Sequence, residues 1–282
     1  MTVPAERRLE EQAQPFRALY QHWERTHWQV GALDFTRDAE SFAALDPETR
    51  RGFVWMFAHR FHAEFEVATL LAPFLAAAPT HDVRLLLATQ VADEYRHLQC
   101  VLRIYEEVFG VEGGIDAVKA LADRNRDQVA STLYDALEAW ILRLRDDPSV
   151  AAFDRAVFAY HLVAEGVVAR TAQGFAGDRY AALGDFPGLA EGQRLVARDE
   201  ARHIGIGVTY LRGRMETAPE EARAAVADGL DEFARLSAEG LELGRAGLQD
   251  VLEGGYGVDA DTFYAEAMRL LQLRLRSIGY VD

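Results

Sequence analysis

The sequence predicts an all-α protein built as a bundle of long helices, and three observations carry that reading. Proline is scarce, at 8 in 282 residues, while the strong helix formers Ala, Leu, Arg and Glu are abundant. Period-two alternation, the mark of a half-buried strand, never rises above noise. Helix breakers are few and widely spaced, leaving segments of the length that bundles use.

Each element follows from its punctuation. Asp46-Pro47-Glu48 has the form of a helix start, with Pro47 at the first helical position. A helix of about thirty residues, roughly 45 Å long, can follow. Pro79-Thr80 interrupts it, and a second helix runs through Glu94 to about Phe109, stopped near Gly110 and Gly113-Gly114. A third spans about 115–145 and ends at Asp146-Asp147-Pro148. A fourth covers about 149–177, and Pro187-Gly188 opens a fifth that carries Glu200 and His203. Two more, about 219–244 and 261–276, complete the series. No Gly/Ser linker or compositional shift divides residues 1–282, which are expected to form a single domain.

Bulk properties exclude several functions. Half of the residues are hydrophobic, enough for a substantial core. The net charge of −15 is spread along the chain without a basic stripe, so no nucleic-acid surface is expected. Cys100 is the single cysteine, which excludes an internal disulfide framework and suits a reducing interior. The longest apolar run, 67–79, contains Thr69 and is too short to span a bilayer. The first residues, MTVPAERRLEEQAQ, contain no apolar segment of the kind a signal peptide needs. A soluble, cytoplasmic chain with no membrane span is the expectation.

The most informative feature is a string that occurs twice, Asp93-Glu94-Tyr95-Arg96-His97 and Asp199-Glu200-Ala201-Arg202-His203. Residues three apart share a helix face, so each string points a carboxylate and an imidazole into the same space. Either Glu/His pair alone would be an ordinary surface pair. Recurrence with the same flanking Asp and Arg, among Val91, Leu98, Val101 and Leu195, Val196, Ile204, points to a buried site. Glu24-Arg25-Thr26-His27 has the same Glu-x-x-His spacing but lacks the flanking residues, and reads as surface or packing.

Two further carboxylates stand out by isolation. Glu165 is the only acid between Arg155 and Gly177, within AVFAYHLVAEGVVARTA. Burying it unpaired would cost several kcal/mol, a penalty that a bound metal removes. Between Thr49 and His81 the only acids are Glu64 and Glu66, about 200° apart on a helix, so at most one of them faces a given site. Four carboxylates with two imidazoles suit two divalent first-row metals, whereas zinc would more often take Cys and His. Asp199, beside Glu200, is a candidate acceptor for the ring N–H of His97 across the bundle.

The order Glu, Glu-x-x-His, Glu, Glu-x-x-His resembles the ribonucleotide reductase small-subunit superfamily of ferritin-like proteins, and most closely its ligand-binding oxidase branch. Trp28 with Leu33-Asp34-Phe35-Thr36-Arg37-Asp38 matches that branch, as do Leu45, Glu48 and Arg50. So do Ala63-Glu64-Phe65-Glu66-Val67, Pro73-Phe74 and Tyr160-His161-Leu162-Val163-Ala164-Glu165-Gly166. The likeness covers about 28–279. It implies a ferritin-like four-helix bundle with additional flanking helices, and it selects Glu64 over Glu66 because the family's first ligand is followed three residues later by a valine, here Val67.

The ligand set so implied is Glu64, Glu94, His97, Glu165, Glu200 and His203, holding manganese and iron, with di-iron as the alternative pair. Also implied are reaction with molecular oxygen, a long-chain fatty acid or similar aliphatic ligand in an apolar tunnel, and a homodimer. An ether bond between Val67 and Tyr160 belongs to the same resemblance. Departures exist: Ala63 and Phe65 stand where family members carry a glycine and an acid. Val101 stands where radical-forming subunits place a tyrosine, which disfavours that role. Val196 occupies the place of an extra histidine in some N-oxygenases. An acyl desaturase or N-oxygenase on the same scaffold, or a metal-storage bundle without catalysis, are the competing functions.

Overall fold

The computed structural model describes residues 5–126 and 128–281, and helices are the only regular elements among them. Three short helices, α1 (Ala5–Glu11), α2 (Phe16–Thr26) and α3 (Thr36–Ala44), precede the long ones. Helix α4 (Pro47–Ala77) starts where the sequence places it, with the Asp46 carboxylate accepting from the backbone N–H groups of Glu48 and Thr49 at 2.9 and 3.0 Å. Helix α5 (His81–Glu107) is capped by Thr80, whose hydroxyl oxygen accepts from the Val83 N–H at 3.3 Å.

The third expected helix is two. Helix α6 (Gly114–Arg124) ends at Asn125, and α7 (Gln128–Asp146) begins afresh; residue 127 lies outside the described residues. The Asn125 side chain donates to the Leu121 carbonyl at 2.9 Å, while its backbone leaves helical geometry at φ −109°, ψ 6°. An asparagine that offers the backbone such an alternative bond ends a helix that periodicity alone would continue.

The fourth region holds a larger departure. Helix α8 (Val150–Val157) leads into a π-helix, Phe158–Ala169, and then into α9 (Arg170–Leu183), closed by Gly184 at φ +88°. The run therefore passes Gly177, where the sequence suggested an end. Helix α10 (Pro187–Thr217) borrows its cap from α3: the buried Asp38 carboxylate accepts from the N–H groups of Gly188 and Leu189 at 2.9 and 2.8 Å. Helix α11 (Pro219–Tyr256) runs beyond 244 to Gly257, and α12 (Ala260–Ser277) ends the series.

Helix α4 packs on α5, α10 packs on the π-helix, and α5 meets α10, which makes a four-segment bundle flanked by the other helices. Helix α11 crosses α4 at glycines. A Cβ on Gly52 would fall 2.2 Å from the Gly254 carbonyl carbon, so only glycine allows that approach. One apolar cluster gathers Phe53, Phe57, Phe61 and Tyr105, and another gathers Phe74, Phe153, Phe158 and Tyr160. No described helix is long and apolar enough to cross a membrane.

Candidate metal centre

The six residues picked out in the sequence converge at the middle of the bundle. Glu64 comes from α4, Glu94 and His97 from α5, Glu165 from the π-helix, and Glu200 and His203 from α10. None is more than 6% exposed. They form two overlapping groups, Glu64/Glu94/His97/Glu200 and Glu94/Glu165/Glu200/His203, and within each the candidate donor atoms lie within 4.8 Å of one another. Glu94 and Glu200 belong to both. Glu66 is not in either; it accepts from Arg126 at 2.9 Å and sits 3.7 Å from His62.

Each imidazole presents one nitrogen inward and one outward. His97 Nδ1 lies 3.4 Å from Glu64, 3.3 Å from Glu94 and 3.5 Å from Glu200, while its Nε2 is 3.3 Å from Asp199. His203 Nδ1 lies 3.1 Å from Glu94, 3.6 Å from Glu200 and 3.8 Å from Glu165, with Nε2 3.2 Å from Asp93. A ring N–H given to a carboxylate leaves the other nitrogen as a free lone-pair donor, the arrangement metal-bound histidines use.

The donor atoms also fit a metal by what they lack. His97 Nδ1, His203 Nδ1, Glu165 Oε2 and Glu200 Oε2 are buried without a hydrogen-bond partner. Orphaned buried polar atoms cost about 1–3 kcal/mol each, so four at one point mark a place made for something that binds them. Charge tells the same story. Burial, and then the neighbouring Glu200, push the Glu165 carboxyl well up. Burial and the charge of Glu94 raise Glu200. Burial opposes a charge on Glu94 as well, yet His203 and His97 hold it far below the usual carboxylate range. Both imidazoles are driven up against their own burial, His97 first by Glu64 and His203 first by Glu94. Divalent cations would relieve this crowding of carboxylates, and hard oxygen donors with imidazole suit manganese and iron.

A surrounding layer fixes the donors. Asp199 is legible in the sequence, and Asp93, at the matching position of the repeated string, does for His203 what Asp199 does for His97. Arg96 donates to Asp93 and, at 2.8 Å, to Asp199. Arg202 donates to Asp93 and, at 2.9 Å, to Thr89. The indoles complete the layer: Trp28 Nε1–H donates to Asp199 at 2.7 Å and Trp23 Nε1–H to Asp93 at 2.9 Å. Gln90, one turn before Glu94, donates to Glu165 at 2.7 Å, and its carbonyl oxygen is 3.0 Å from His161 Nε2. Its place on the ligand face of α5 is the signal that could have found it.

Val67 packs against the apolar cluster that contains the fully buried Tyr160. An α-helix would turn Tyr160 about 140° away from Glu165, five residues on. The wider π-helix reduces that offset, and the Tyr160 phenol hydrogen-bonds the Glu165 carboxylate. Burial and the facing Glu165 carboxylate push the Tyr160 phenol well above its ordinary pKa. Glu24 and His27 are exposed and belong to neither donor group, although His27 Nδ1 lies 2.9 Å from Arg96 of the surrounding layer. Phe53, Phe74 and Phe158, which mark the segments expected to line an apolar tunnel, are fully buried.

A scan of the sequence against protein-family models finds no match. Solved structures give a clear likeness in fold, that of an all-α ferritin-like helical bundle. Within it, the similar structures are R2-like ligand-binding oxidases. A valine-to-isoleucine variant with an anaerobically reconstituted Mn/Fe cofactor is 22% identical at a TM-score of 0.80, over 95% of this chain and 94% of that one. A glycine-to-leucine variant with a non-activated Mn/Mn cofactor is 23% identical at 0.81, over 95% and 94%. The oxidase from Sulfolobus acidocaldarius is 19% identical at 0.77, over 94% and 90%.

Proposed function

We propose that this protein is an oxygen-activating dimetal oxidoreductase. Glu64, Glu94 and His97 would hold one metal and Glu165, Glu200 and His203 the other, with Glu94 and Glu200 common to both donor sets. The observation that carries the reading is the pair of overlapping donor sets sharing two glutamates. Manganese and iron are the metals proposed, in keeping with the Mn/Fe cofactor of similarly folded oxidases. When bound, such a metal pair would supply the oxidising power for chemistry with molecular oxygen.

The chain's own residues set the conditions for that chemistry. Asp199 and Asp93 orient the two rings so that Nδ1 faces inward. Burial on every side keeps bulk water from the carboxylates. A long-chain fatty acid is the proposed ligand, with its carboxylate toward the metals and its tail along 53–74 and past Phe158. The proposed internal product is an ether between the Val67 Cβ and the Tyr160 phenol oxygen. Joining them removes one hydrogen from each side chain, and the two electrons and two protons pass to molecular oxygen. Two things support the pairing: the shared apolar cluster and the π-helix, on which the Tyr160 phenol bonds the Glu165 carboxylate of the donor set.

The test is anaerobic loading with Mn(II) and Fe(II), then exposure to oxygen. Oxygen uptake, a changed metal spectrum and a joined Val67/Tyr160 peptide pair lighter by two hydrogens are expected. Two metals bound without oxygen uptake would favour a storage bundle. Separate, unmodified peptides after full loading would leave Val67 and Tyr160 as packing residues. Denaturing extraction and mass spectrometry should release a long-chain acid from protein purified without added lipid.

A further inference from the structure

Outside the centre, one fully buried arginine stands out. Arg274, on α12, is 0% exposed and makes three bonds. Its Nε–H donates to the Gly166 carbonyl at 3.0 Å, and its terminal nitrogens donate to the Glu10 carbonyl at 3.1 Å and the Glu10 carboxylate at 2.8 Å. The other Glu10 oxygen is 3.0 Å from Arg170. Burying an ion pair contributes little to stability by itself and often costs some, so its placement calls for a reason beyond tying α1 to α12.

The reason lies in which carbonyl Arg274 selects. Gly166 follows Glu165 inside the π-helix. The Arg170 N–H at the end of that helix bonds the carbonyls of Glu165 and Val167, passing over Gly166. The Thr171 hydroxyl takes the Val167 carbonyl at 2.7 Å, and Arg274 takes that of Gly166. A π-turn is rare because the ordinary α register is usually better bonded, and it persists where outside partners hold it. Bonded by Arg274, the Gly166 carbonyl is satisfied without the α-register bond from Arg170 N–H, which removes part of the cost of the π register. Space is equally matched: a Cβ on Gly166 would fall 3.0 Å from both Arg274 Nε and the His161 carbonyl.

We propose that Arg274 is a positioning residue for the metal centre. By capturing the Gly166 carbonyl it holds the π register that turns Glu165 inward, so a strut from Glu10 through α12 sets the geometry of the second donor group. The inference rests on the dimetal reading and names a residue that reading does not use.

Cobalt(II) titration of metal-free protein, followed by absorption and elemental analysis, tests it. The wild-type chain is expected to bind two ions; failure to do so would overturn the dimetal reading and this inference together. In Arg274→Met the ion held with Glu64 and His97 should bind as in the wild type, and the ion held with Glu165 and His203 should weaken by roughly 10–100-fold, the range for residues that orient ligands. Arg274→Lys keeps a charge for Glu10 without the Nε–H, and Gly166→Ala crowds the contact while keeping the ion pair. Both are expected to show the same selective loss, and they decide the matter if Arg274→Met does not fold. Two ions bound at wild-type affinity in these variants, with only a lower melting temperature, would show that Arg274 is a structural tie and overturn the proposal.

Discussion

The two halves of the centre are alike where the sequence repeats and differ where it does not. In one half His97 is backed by Asp199 and Trp28; in the other His203 is backed by Asp93 and Trp23. The remaining carboxylates have different neighbours. Glu64 sits on a regular α-helix with Arg60 at 3.7 Å, four residues before it. Glu165 sits on a π-helix, bonded by Gln90 and facing Tyr160, with the His203 ring 3.8 Å away. A repeated motif builds two equivalent imidazole sites, and the unrepeated carboxylates make them chemically distinct. That asymmetry is what a centre holding two different metals requires.

The largest effect is expected from the shared carboxylates. Glu200→Ala removes a donor from both groups, and metal content should fall from two per chain toward none, with helical circular dichroism unchanged. A variant that still held two metals would remove Glu200 from the centre. The matched pair Asp93→Asn and Asp199→Asn comes next. Each should weaken its own histidine's metal by roughly 10–100-fold and leave the other nearly untouched. Equal weakening of both metals in both variants would show that the halves are not separable.

Another buried imidazole, His161, sharpens the contrast. His97 and His203 are surrounded by carboxylates and driven up, whereas burial and then the charge of His203 push His161 down to about 3. Its neighbour at 3.0 Å is the Gln90 amide, which brings no charge. The sign follows from linkage: between the ordinary value of 6.5 and about 3 the unfolded chain takes up this proton and the folded chain does not. Stability is therefore lost as pH falls through that window, by about 1.4 kcal/mol per pH unit. In the metal-free protein, His161→Gln should flatten the decline between pH 6 and 4, measured by urea unfolding. An unchanged slope would place the lost protons elsewhere. The smallest effect belongs to His27→Gln, in the exposed Glu-x-x-His: metal content and affinity should not change, and any loss would show that the contact of His27 with Arg96 helps fix the centre.

Much of the centre was legible because its logic is local. Spacing of three on a helix aligns Glu94 with His97 and Glu200 with His203, and an acid alone in an apolar run marks Glu165. Glu64 required the resemblance, since α-helical geometry only excluded that it and Glu66 share a face. Other features depend on partners far along the chain. The π-helix draws on Arg274, 108 residues from Gly166, and no local pattern announces it. Trp23 and Trp28 act through helix docking, at separations of 70 and 171 residues from Asp93 and Asp199. The break between α6 and α7 turns on one asparagine bond that hydrophobic periodicity does not register. Asp93 was within reach, since the repeat gives it the same standing as Asp199.

The central claim is that Glu94 and Glu200 stand between two metals. Crystals of protein loaded anaerobically with Mn(II) and Fe(II), measured at the absorption edges of both metals, test it most directly. Two anomalous peaks per chain are predicted, one beside Glu64 and His97 and one beside Glu165 and His203, with Glu94 and Glu200 in contact with both. A single peak, or metals bound away from these residues in an intact bundle, would contradict it.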